Sequence, residues 1–512
     1  MEAESARSDS VSLDSAQGRW VVAVAVLGSG VAFLEATVVN VALPEIGADL
    51  GADTAGLQWV LNGYLLTLAS LILLGGSLGD RLGRRLVFNV GVAWFTAASV
   101  LCAVAPSVEV LVAARVLQGI GGALLTPGSL AIIEATFRKQ DRAAAIGAWS
   151  GLGGVAAAVG PLLGGYLVDE VSWRAIFLLN IPLGAFVIVM ANRHVPESRD
   201  STVHGRLDYP GATLAALGLA GTTVALIQAP EPGGAGLTAL AAGVGVLALA
   251  GFLVVERRSP NPMMPLSVFA SRQFSAANLV TFAVYAALGS VFFLLVAFLQ
   301  ISLGYSAVAA GSASLPVTVL MLALSARSGA LAQRIGARIP LTVGPLVIAA
   351  GMLLMAMIEP GDSYVAAVLP GVVVFGLGLT LVVAPVTATA LAAADERHAG
   401  VASGINNAVA RVAGLLAVAV LPLLAGLTGD AFYDPEAMTE GFRTAMFIAA
   451  GLAAAGSLVA FSLIRPDVLE TEPSSEDADT PGRTATDRSC PIAGTPLRPS
   501  REAECVPAGE PG

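Results

Sequence analysis

Two opposite charges stand inside apolar runs that otherwise carry almost none. Glu35 lies in FLEATVVN, within a stretch that is nearly all hydrocarbon from Trp20 to Leu43, and Arg115 opens RVLQGIGGALLTP. A charged side chain in such surroundings is costly to leave alone and usually has a partner. If the two runs are antiparallel membrane spans, Glu35 lies about 12 Å below the outer end of its helix and Arg115 about 9 Å below Glu109, so they share a depth. The chemistry open to such a pair is proton exchange. Burial favours the neutral carboxyl, the guanidinium favours the ionised one, and a modest change of access moves the proton. On the residues alone two readings stand: a static ion pair that permits packing, or a working pair in which Glu35 carries a proton.

A third charge, Arg411, follows Asn406 and Asn407 in GVASGINNAVARVAG, about 16 Å from the nearer end of its span. It is either bonded to helix carbonyls or part of a binding site. Polar groups that could line a substrate cavity are few: Thr37, Asn40, Asn62, Gln118, Asn278, Gln300 and Asn406, with Arg411. Each could equally be a helix contact. Together with Tyr64, Phe292 and Phe293 they describe a weakly polar cavity, suited to hydrophobic compounds, cationic ones among them, better than to sugars.

Other chemistries lack their residues. Cys102, Cys490 and Cys505 have no ligand or disulfide spacing, and neither do His194, His204 and His398. The only lysine is Lys139 and no phosphate-binding Gly-x-x-x-x-Gly-Lys loop occurs, which argues against an ATP-driven pump within this chain. No nucleic-acid-binding pattern accompanies the arginines. We therefore expect no catalytic residue, no metal and no cofactor, the energy coming from a proton gradient; the partners expected are a small-molecule substrate, protons and lipid, with the chain a monomer.

The elements that must hold these residues are membrane helices. Of 512 residues, 55% are hydrophobic and only 12% charged, about half the charge of a soluble chain. The apolar material falls into fourteen runs, roughly 20–43, 59–78, 86–105, 108–136, 143–168, 175–191, 210–229, 236–255, 274–303, 307–326, 339–358, 364–392, 401–427 and 444–464. Basic residues such as Arg81, Arg84, Arg85, Arg138, Lys139 and Arg142 crowd the loops on the side of both termini, while the opposite loops hold acids such as Asp49, Asp53, Asp169 and Glu231. That bias places both termini in the cytoplasm, the chain spanning the cell membrane many times. Residues 1–19 and the acidic tail 466–512 have little to bury and are expected to be disordered.

A repeat divides the chain. GSLGDRLGRR at 76–85 follows the second span and GALAQRIGAR at 329–338 follows the tenth, in one Gly-x-Leu-x-x-Arg-x-Gly-x-Arg frame. Same-sided repeats fit two bundles related by an axis along the membrane normal. The expected architecture is all-α, with a six-helix bundle over 20–192, two inserted helices over 193–272, and a second six-helix bundle over 273–465.

The first copy, with Gly76, Leu78, Asp80, Arg81, Gly83, Arg84 and Arg85, resembles the helix 2–3 signature of the major facilitator superfamily. The resemblance implies a conformational latch in which Asp80 faces the start of the helix near Ala399–Gly400; the second copy has Gln333 in place of the acid. Arg115-x-x-Gln118-Gly-x-Gly is similar to the helix-4 signature that the superfamily associates with proton coupling. IGAWSGLGGVAAAVGPLLGGYL at 146–167 can be read simply as small residues for close helix approach, with Pro161 bending the helix. Its Gly147, Gly160, Pro161, Gly164 and Gly165 also resemble the helix-5 antiporter signature, with Ala156 where that signature has a glycine. LEATVVNVALP at 34–44 and WRAIFLLNIPLG at 173–184 are similar to segments of the fourteen-helix drug:proton antiporters, with Glu35 where an aspartate is usual and Ala175 where a second tryptophan is common. The function implied is proton-coupled export of amphipathic molecules, drugs or secondary metabolites. A proton-coupled importer and a membrane sensor are the alternatives.

Overall fold

The computed structural model describes residues 11–199, 207–229, 234–394 and 399–469. Among these, thirteen helices are long and apolar enough to cross a bilayer: α1 (Ala16–Leu50), α2 (Thr54–Leu82), α3 (Arg84–Ala103), α4 (Val108–Thr136), α6 (Ala175–His194), α7 (Tyr209–Gln228), α8 (Ala235–Arg258), α9 (Arg272–Ile301), α10 (Ala307–Ile335), α11 (Arg338–Met355), α12 (Tyr364–Ala392), α13 (its membrane-length part Val401–Leu424) and α14 (Pro435–Leu463). The 32-residue helix α5 (Lys139–Glu170) stands where the fifth span was expected. Short polar caps delimit them: Asp53 accepts from Gly56 N at 2.8 Å to start α2, and Gly51, at φ 63°, ends α1. Because the helices alternate, Ala16 and Leu463 lie on one face, which we call basal; the other is distal.

The basal start of the chain corrects the expectation of disorder. Val11 N donates to Thr136 O at 2.9 Å, Leu13 N donates to Asp141, and Ser15 caps α1. Residues 11–19 are therefore ordered: their backbone groups find partners at the α4–α5 turn. Residues 1–10 and 470–512, also expected to be disordered, lie outside the described residues; Pro466–Leu469 forms a short 3-10 turn.

Packing reproduces the repeat. In the first six helices α4 packs against α2 and α3, and α1 against α5. In the last six, α12 packs against α10 and α11, and α9 against α13 and α14. Between the sets, α2 lies against α13 and α5 against α10, so the second helix of each set meets the fifth of the other. That reciprocal pairing is what a two-fold axis along the bundle produces. The repeated glycines mark equivalent corners: Gly83 at φ 124° joins α2 to α3, and Gly336 at φ 83° joins α10 to α11. Only glycine adopts such angles without strain. Helices α7 and α8 pair with each other, and α7 also packs on α2 and α13.

Candidate functional site: a buried ion pair and the seam between two helix sets

Glu35 of α1 and Arg115 of α4 meet. Their side chains are 0% and 1% exposed, and Arg115 Nη1 lies 2.5 Å from Glu35 Oε1. Arg115 Nη1 also reaches Gln118 Oε1, one helical turn on, and Arg115 Nε donates to Val60 O at 3.0 Å. The Tyr64 ring lies 4.5 Å from the guanidinium carbon. On the other side, Asn180 Nδ2 donates to Glu35 Oε2 at 2.9 Å and to Ser99 Oγ at 3.1 Å, while Gln118 Nε2 donates to Ser99 Oγ at 2.8 Å. Five helices, α1, α2, α3, α4 and α6, thus close a polar knot inside the first helix set. Losing one partner of such a pair costs about 3–5 kcal/mol, because the remaining charge is stranded.

Sequence reasoning placed the pair at one depth but missed Asn180 and Ser99. Asn180 had a signal: it is a lone amide in an apolar run, and it opens the second piece of α6, Asn180–His194. Ser99 had none, since a serine in a helix commonly bonds its own backbone, as this one does to Phe95 O.

Several residues expected to line a cavity make bonds between or within helices. Gln118 belongs to the ion-pair knot. Gln300 Nε2 donates to Val41 O at 3.0 Å across the seam. Asn406 donates to Asn278 Oδ1 and to Thr281 Oγ1, a contact between α13 and α9. Thr37 bonds the carbonyls of its own helix. Asn40 is buried. Asn62 is buried with neither amide atom hydrogen-bonded. Arg411 is half-buried, midway along α13.

The glycine strip of α5 serves two neighbours. A Cβ at Gly160 would collide with Thr37, and one at Gly164 would lie 2.8 Å from Val38 Cγ1, both on α1. A Cβ at Gly165 would lie 2.6 Å from Val308 Cα of α10, and Gly311 of α10 packs against Pro161. Gly147 meets nothing within 4 Å, so its place in the motif has no packing cause.

At the basal corner Asp80 of α2 pairs with Arg84 of α3 at 2.9 Å, across the turn at Gly83. Ala337 stands at the position of Arg84 in the second repeat and Gln333 at that of Asp80, so the second corner lacks the pair. Glu197, which sequence reasoning did not single out, accepts from Arg85 N at 3.0 Å and Leu86 N at 3.2 Å, capping α3. A Cβ at Gly83 would strike that carboxylate, and Arg85 Nη1 donates to Val195 O. Gly76 makes ordinary contact with Pro127, and Arg81 is half-buried. The surroundings expected for Asp80, residues 395–398 and the side chains of 399 and 400, lie outside the described residues.

The distal face is tied across the seam. Gln58 Nε2 donates to Val418 O at 2.7 Å, Thr54 Oγ1 to Gly429 O at 2.9 Å, and the Tyr433 hydroxyl to Ala52 O. Burial pushes the Tyr433 hydroxyl up to about 12, so it remains a donor at neutral pH. Asp169, at the end of α5, accepts from Ala307 N at 3.0 Å and Val308 N at 2.9 Å, capping α10. A cleft of about 380 Å³ remains there, lined by residues including Glu45, Asp169, Gln300 and Tyr305.

Two helix sets meeting along reciprocal seams, with an ion pair sealed in one of them, form the architecture of a multi-pass membrane transporter. The pattern of the Major Facilitator Superfamily matches residues 25–418, and the chain belongs to that superfamily. It is 37% identical over 417 residues to the tetracenomycin C resistance and export protein of Streptomyces glaucescens, covering 81% of this chain and 77% of that one. It is 36% identical over 397 residues to the multidrug resistance protein Stp of Mycobacterium tuberculosis, covering 77% and 73%. A puromycin resistance protein of Streptomyces alboniger is 34% identical, covering 91% and 95%. Among solved structures, a D-xylose-proton symporter superposes with a TM-score of 0.64 at 15% identity, over 88% of this chain and 99% of that one. A peptide transporter gives 0.65 at 16%, over 90% and 97%. Those two likenesses concern the fold.

Proposed function

We propose that the chain is a proton-coupled antiporter of the fourteen-helix branch that exports amphipathic small molecules by alternating access. Residues 20–192 and 273–465 form the two moving bundles and 193–272 the inserted pair, in a monomer with both termini in the cytoplasm of a cell whose plasma membrane it spans. The observation that carries the reading is the sealed pair of Glu35 and Arg115, held by Asn180 and Gln118. With Glu35 ionised, Arg115 and Asn180 satisfy one carboxylate oxygen each. Protonation removes the charge that holds Arg115 and loosens α1 and α4, so that the bundles rock about the α2–α13 and α5–α10 seams. Each proton drawn inward supplies about 2.3 kcal/mol per 100 mV, and no resident cofactor is needed. The named roles of three relatives in resistance or export support the outward direction.

The test is movement in inverted membrane vesicles with an imposed pH gradient, using puromycin, tetracenomycin C and fluorescent amphiphiles as probes. Gradient-driven uptake that collapses with a protonophore is expected. Uptake of none of the panel, with uptake of a labelled nutrient in whole cells instead, would favour an importer.

A further inference from the structure

We propose that the exported molecule carries an acidic group, a carboxylate or phenolate, and that Arg411 receives it; this rests on the transport reading above. Arg411 lies twelve residues into a helix that runs Ala399–Leu424, which puts its Cα about 18 Å along the helix axis, close to the bilayer middle. It is half-buried, and among the described residues no carboxylate, carbonyl or amide is hydrogen-bonded to its guanidinium. The contrast with Arg115 is direct: that guanidinium has Glu35, Gln118 and the Val60 carbonyl.

The charge of Arg411 is felt on two neighbouring helices. Helix α13 lies against α2 and α9, and the Arg411 charge acts on Tyr64 of α2 and Tyr285 of α9. Tyr64 also stacks on Arg115, so one tyrosine feels the charges of two arginines that come from opposite helix sets. Glu35 and Arg115 cancel each other. The net charge that the middle of the bundle presents to cargo is therefore positive. A cationic cargo would set a second positive charge beside Arg411 in low dielectric, while an anionic one supplies the missing partner. This narrows the hydrophobic cargo expected from composition to its anionic members.

Fluorescein and rhodamine 123 share a xanthene frame and differ in charge, the first anionic and the second cationic. Binding of each to the full chain in detergent, read by fluorescence anisotropy, is expected to favour fluorescein at least tenfold. Arg411→Gln should weaken fluorescein at least tenfold and leave rhodamine 123 within twofold, while Arg411→Lys keeps most of the fluorescein affinity and reports that the site still folds. Equal binding of the two dyes by the wild type, or equal weakening of both by Arg411→Gln, overturns the proposal. Charge-selective binding without gradient-driven movement would sink the exporter and spare the anion site. Gradient-driven movement of fluorescein that Arg411→Gln leaves untouched would do the opposite.

Discussion

Asp169 offers a test of how the distal seam is held. Its two carboxylate oxygens accept from the first backbone N–H groups of α10, at 3.0 and 2.9 Å, and so join the end of a helix in one set to the start of a helix in the other. An acid at a helix N-terminus is worth about 0.5–2 kcal/mol, and because Asp169 is exposed the lower half of that range applies. Taking about 1 kcal/mol, Asp169→Ala should raise the population with the seam open about fivefold. The amides of Ala307 and Val308 report this directly, since they lose their acceptor. Hydrogen exchange of a peptide covering 301–312 should quicken about fivefold in Asp169→Ala and less in Asp169→Asn, which keeps one acceptor oxygen. Exchange unchanged in both variants would show that the cap does not hold the seam.

The α5 strip and the ion-pair knot give two further outcomes. Gly165→Ala places a methyl group 2.6 Å from the α10 backbone and should cost about 1–3 kcal/mol of thermal stability and most export, whereas Gly147→Ala, with nothing within 4 Å, should stay within about 0.5 kcal/mol of the parent; melting in detergent and drug tolerance check both. Asn180→Leu removes a donor from a buried carboxylate and should cost about 1.5–3 kcal/mol, read as a lowered melting temperature in detergent.

Much of this fold was legible because lipid imposes it. Fourteen apolar runs, an alternating charge bias and a repeated glycine frame are all properties of residue type along the chain, and Gly83 and Gly336 confirm the frame through backbone angles that only glycine takes freely. Depth was legible too, since rise per residue is fixed, and it brought Glu35 and Arg115 together. What residue type does not carry is rotation about the helix axis. Gln118 and Gln300 read alike in sequence, yet one faces the ion pair and the other a carbonyl across the seam. Asn180 sits where α6 breaks at Leu179, and no period places it beside Glu35. The order of residues 11–15 likewise depends on a turn more than a hundred positions away.

The claim on which the account depends is that Glu35 is the group that carries the proton. Proteoliposomes holding the purified chain and a trapped pH dye measure it most directly, with a transported probe allowed to run down its own concentration gradient. The wild type should move protons against the probe, and Glu35→Gln should let the probe pass with no proton counterflow while still inserting and folding. Proton counterflow in Glu35→Gln at the wild-type ratio would place the carrier elsewhere in the bundle.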